Sequence, residues 1–117
     1  MSPLYTMRAD MPSRLETIKK IVEQQPNDPF PRYGLAMELK KLGQAAEAEE
    51  AFAELERRHP DYVAQYLMRA NNLGELGRAG EAKAVLGRGI EAARKKGDGH
   101  ALGELQQALM QLESRDD

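Results

Sequence analysis

The chain has 117 residues, enough for one domain with a modest core, and is 41% hydrophobic but only 5% aromatic, with no Trp. Its charged residues, 31% of the total, nearly cancel at a net −2, which excludes the basic excess of a nucleic-acid-binding surface and the high net charge of a disordered chain. With no Cys, disulfides, thiolate metal sites and cysteine nucleophiles are excluded as well. No apolar run approaches the ~20 residues that span a bilayer. The segment Met1–Ser13 lacks the apolar stretch of a secretory signal. A cytoplasmic protein without membrane or nucleic-acid partners is the expectation.

Residues 1–12, which include Pro3, show no helical periodicity and read as a flexible N-terminal tail; the alternative is a segment that docks on a partner or on a second copy. Ser13 with Glu16 three residues on makes a capping box, and Leu15, Ile18, Ile21 and Val22 share one helical face. That helix must end near Gln25, because Pro26 disfavours helical geometry before it. Asp28 then caps a second helix with Pro29 in its first turn, and Tyr33, Leu35, Ala36, Leu39 and Leu42 carry it to Gly43. A third helix spans about 45–58, stops at His59-Pro60, and turns Ala48, Phe52 and Leu55 inward. A fourth is expected over about 62–76 and a fifth over about 79–95, each closed by a glycine, Gly77 and Gly97. Gly87 and Gly89 inside the fifth each cost ~1 kcal/mol relative to Ala, so close helix approach is expected at both. Asp98 caps a sixth, with Ala101, Leu102, Leu105, Leu109 and Leu112 apolar; residues 114–117 read as a disordered tail.

Spacing separates a bundle from a stacked repeat. Leu42-Gly43 recurs as Leu76-Gly77, Glu47-Ala48 as Glu81-Ala82, Phe52 as Leu86, Leu39 as Leu73 and Ala36 as Ala70, each 34 residues on. Ile18, Ile21 and Pro26 stand 34 residues before Phe52, Leu55 and Pro60. One helix pair cannot bury its apolar stripe alone, and stacking neighbours buries a continuous core.

In these residues the chain resembles the tetratricopeptide repeat family. The first full repeat reads Leu35, Ala36, Leu39, Leu42-Gly43, Ala48, Phe52, Leu55, Pro60, and the second Tyr66, Ala70, Leu73, Leu76-Gly77, Ala82, Leu86, Gly89. Arg32 stands where the family carries an aromatic, and Arg94 where it carries Pro, which lets the fifth helix run on. The resemblance implies an all-α solenoid of about six antiparallel helices. Its domain would cover 13–113, with repeats at about 29–62 and 63–96, a preceding half-repeat helix, and a capping helix at about 98–113.

Nothing in the sequence assembles a catalytic or metal constellation. His59 sits at a helix end and His100 beside Glu104, two histidines too few and too scattered for a structural zinc site. The acidic run Glu47, Glu49, Glu50, Glu54 and Glu56 reads as a solvated face. Gly97-Asp98-Gly99 lacks the Gly-Lys-Ser/Thr of a phosphate loop. The pairs Lys40-Lys41 and Lys95-Lys96 close helices where cations suit the dipole. No enzyme and no cofactor is expected.

The resemblance implies instead a concave face lined by the first helix of each pair, where a peptide or helix of another protein is held. The residues off the core phase there are Phe30, Tyr33, Met37, Lys40 and Lys41 in the first repeat and Leu67, Asn71 and Glu75 in the second, with Ala64, Ala101 and Leu105 beside them. The Lys and Asn with which some members grip a chaperone's C-terminal carboxylate are replaced by Tyr33, Met37 and Met68, so that specificity is absent. The expected role is a protein–protein adaptor; the rival is a homo-oligomer that associates through this groove or the N-terminal tail.

Overall fold

The computed structural model describes residues 13–115. The expected tail at 1–12 and residues 116–117 lie outside that range. The described residues form α1 (Arg14–Gln24), α2 (Pro29–Lys41), α3 (Ala45–Arg58), α4 (Ala64–Glu75), α5 (Ala79–Lys96) and α6 (Gly99–Arg115). The last helix therefore extends through Ser114 and Arg115, past the point where a disordered tail was expected to begin.

Local chemistry sets these boundaries. The Ser13 Oγ accepts the Glu16 N–H, the Asp28 carboxylate the Phe30 N–H, and the Asp98 carboxylate the Ala101 N–H. Gly43 and Gly77 terminate α2 and α4 at φ +79° and +73°, a left-handed conformation that disfavours side-chain-bearing residues. Around each, paired bonds close the helix end: the Gln44 N–H donates to the Leu39 carbonyl and the Gly43 N–H to that of Lys40. The start of α4 differs from the expectation. Tyr62 and Val63 lie in the preceding turn, where the Gln65 and Tyr66 N–H groups reach back three residues to the Tyr62 and Val63 carbonyls.

The helices pack in sequence order, each on the next. The backbones of α2 and α4 and of α4 and α6 also come close to each other, whereas those of α3 and α5 do not and are linked only through side chains. Closer spacing on one side of a stack curves it toward that side, so α2, α4 and α6 form its inner row. The repeat positions are buried as their recurrence demands: Ala36, Leu39, Ala48, Phe52, Ala70, Leu73, Ala82 and Leu86 all lie in the core. They fall into two clusters. Ala36, Leu39, Ala48 and Phe52 join α2 to α3, with Leu15 of α1 against them; Ala70, Leu73, Ala82 and Leu86 join α4 to α5, closed by Leu105 of α6.

The junction of α3 with α4 is largely polar. Asn72 Nδ2 donates to the Ala45 carbonyl at 2.9 Å, and Gln65 Nε2 donates to those of His59 and Tyr62 at 2.7 and 3.0 Å. Between them Arg69 engages Glu49 and Glu56, and Glu56 also takes Arg88 of α5. Two members of the acidic run are thus not solvated: Glu49 is 7% exposed, and Glu56 bridges three helices. Their carboxylates face cations on neighbouring helices, a relation across tertiary structure that spacing along α3 does not reveal. His59, at the helix end where it was expected, caps the C-terminus of α3 and is half-buried.

The two glycines of α5 also separate. A Cβ on Gly89 would sit 2.5 Å from Tyr66 Cβ, so α4 and α5 touch there as expected. A Cβ on Gly87 would meet nothing within 4 Å, so the close approach expected at that position is absent.

Candidate functional site

The off-core residues of α2 and α4 lie along the inner row, spread over three depressions. The first, about 340 Å³ between α1 and α2, holds Phe30, Tyr33, Met37 and Lys41, with Ile18, Arg14 and Glu38. The second, about 290 Å³, lies where α2, α4 and α6 meet; Tyr33, Leu67 and Met68 face Ala101 and Leu105 across it. The third, about 340 Å³ between α4 and α6, holds Asn71 and Glu75 near Gln111 and Arg115. Tyr33 lines both the first and the second, so these two lie side by side along α2 with its ring between them.

Each side chain is placed by its helix and its packing. Phe30, in the first turn of α2 behind the Asp28 cap, is 68% exposed, a large apolar ring left to solvent. Tyr33, one turn on, is half-buried and tilts against Tyr62, ring centroids 5.5 Å apart. Burial, followed by the neighbouring Tyr62, pushes the Tyr33 phenol above its usual pKa. Met37 rests partly buried on the α2–α3 cluster and Leu67 on the α4–α5 cluster, so both serve the core and line the surface. Lys40 Nζ lies 2.9 Å from the Glu75 carboxylate, tying α2 to α4 rather than standing free at a helix end. Lys41 and Asn71 are exposed.

A fourth depression, about 700 Å³, runs along α5 and the α3–α4 turn. Sequence phase gave no sign of it, because its floor is made by the close α4–α5 contact at Tyr66. Glu56 and Arg88, which line it, are already bonded to each other, and the Tyr66 hydroxyl donates to the Pro60 carbonyl. Among the described residues no group of three or more His, Asp or Glu side chains is placed to hold a metal, and no helix is long and apolar enough to cross a membrane.

A tetratricopeptide repeat domain protein from Salinibacter ruber is 39% identical to this chain in its solution structure, over 76% of this chain and 90% of that one, with a TM-score of 0.73. The chain belongs to the tetratricopeptide repeat family. A crystal structure of a repeat domain protein from the same organism gives 39% identity, 74% and 97% coverage and a TM-score of 0.70. A Bordetella parapertussis protein at 22% identity shares the fold, with a TM-score of 0.76 over 91% of this chain and 92% of that one. No family model and no curated protein matches. The tetratricopeptide repeat fold is typically a non-catalytic interaction module.

Proposed function

We propose that this tetratricopeptide repeat protein is a cytoplasmic adaptor whose inner row, α2, α4 and α6, receives a peptide or helical segment of another protein. The observation that carries the reading is the pair of neighbouring depressions that meet at Tyr33, one lined by Phe30 and Met37 and the other by Leu67 and Met68. Aromatic and aliphatic side chains stand there half or fully exposed on rigid helices, rather than on loops. Interfaces draw most of their energy from a few such anchors, and a groove of this kind suits a helix laid in it or an extended strand held by its backbone. Asn71, exposed in the third depression, supplies an amide for such a backbone. The binding unit we assign is 13–113, with repeats at about 29–62 and 63–96 and a cap at about 98–113.

Because Tyr33 and Leu67 also brace the core, truncating them would confuse folding with binding. Phe30→Ala and Ala64→Tyr suit the test better: Phe30 is open to solvent, and Ala64 is exposed at the mouth of the second depression. Affinity capture from the host with wild type and with the double variant checks the reading. Proteins retained by wild type and lost by a variant of unchanged melting temperature support it. Equal retention by both places the surface elsewhere.

A further inference from the structure

The second depression has a composition that selects its occupant. Its walls are apolar, built from Tyr33, Val63, Leu67, Met68 and Leu105. Its rim carries the carboxylates of Asp98 and Glu104, and no Lys or Arg lines it. The imidazole of His100, which also lines it, lies 3.2 Å from the Glu104 carboxylate. Asp98 is held in place by accepting the Ala101 N–H, and Glu104 stands on α6, half-exposed, one turn on. The neighbouring depression on α2 has the opposite balance, with Arg14 and Lys41 against Glu38.

We propose that the α2–α4–α6 pocket takes an apolar side chain flanked by Lys or Arg, so that the partner is a basic amphipathic segment whose cation sits over Asp98 and Glu104. This rests on the groove reading and narrows it. An apolar anchor alone would fit many partners. The carboxylates at the rim favour a segment with a nearby cation and repel one with a carboxylate there, which is how rim charge confers specificity. Such contacts are exposed, so they are screened by salt while the apolar anchor is not.

A displayed library of random twelve-residue peptides, selected on the full chain, tests this. Winners should carry Lys or Arg beside a large apolar residue. They should fail to bind Ala64→Tyr, and bind Glu104→Lys about tenfold more weakly at low salt, since that change replaces an attraction with a repulsion. Circular dichroism melts confirm that both variants fold. Acidic or uncharged winners that still fail on Ala64→Tyr would overturn the basic-partner inference and leave the groove reading standing. Winners indifferent to Ala64→Tyr, or no winners, would overturn both. Light scattering that shows a dimer of the full chain, dissociated by Ala64→Tyr, would give the pocket to a second copy and also end the inference.

Discussion

Substituting alanine at Gly87 should stabilise the fold and at Gly89 should not, although the two residues are only two positions apart in the same helix. Alanine in a helix interior is favoured over glycine by ~1 kcal/mol. At Gly87 a Cβ meets no atom within 4 Å, so that gain is kept. At Gly89 the new methyl would lie 2.5 Å from Tyr66 Cβ, 2.9 Å from its Cγ and 3.2 Å from Leu105 Cδ2. The Tyr66 Cβ is fixed to the α4 backbone and cannot rotate away, so α4 and α5 must separate. Such overpacking costs ~1–3 kcal/mol, which cancels or outweighs the propensity gain. The two variants should therefore differ by about 1–3 kcal/mol, or roughly 5 °C in melting temperature for each kcal/mol. Urea unfolding followed by circular dichroism at constant m-value reads the difference. Equal stability of the two variants would refute the close contact at Gly89 and with it the register of α4 on α5.

Phe52→Ala should destabilise by ~3–5 kcal/mol in the same assay, because the ring is fully buried between α2 and α3. Arg69→Met should cost about 3 kcal/mol by leaving Glu49 and Glu56 without their shared cation at the α3–α4 junction, and a melt like wild type would show the network to be idle. Burial pushes the Tyr66 phenol up to about 12, so the folded state holds its proton after the unfolded chain, near 10, has lost it. That contribution is full below pH 10 and is lost as pH rises toward 12. Tyr33 and Tyr62, also raised by burial, add in the same direction, and Tyr66→Phe should flatten the alkaline fall seen in a pH series of melts. Removing α6 by truncation after Gly97 should uncover the cluster that Leu105 closes, giving aggregation or loss of cooperative melting; a soluble, equally stable truncation would contradict this.

The fold was legible because its determinants recur. Ala36 with Ala70, Phe52 with Leu86 and Gly43 with Gly77 announce the same helix pair twice, and packing and helix termination respond to the residue type at each position. The α3–α4 junction was not legible. Glu49, Arg69 and Asn72 look like surface residues of amphipathic helices, and become buried because a neighbouring helix arrives over them. The same arithmetic explains Gly87: helical phase marks two glycines, while the crossing point of α4 on α5 needs only one. Phase put Phe30, Tyr33 and Met37 on α2 and Leu67 and Asn71 on α4, the helices that carry them. Phase does not separate the exposed Phe30 from Met37 and Leu67, which are shared with the core, or show that Lys40 is held by Glu75.

The central claim is that α2, α4 and α6 together receive a segment of another chain. Its most direct test is a backbone amide chemical-shift titration of the isotope-labelled full chain with a peptide selected on it. The account predicts shifts gathered on Phe30, Tyr33, Leu67, Asn71 and the first turns of α6. Shifts gathered instead on the outer residues of α5, such as Ala84 and Glu91, would contradict it.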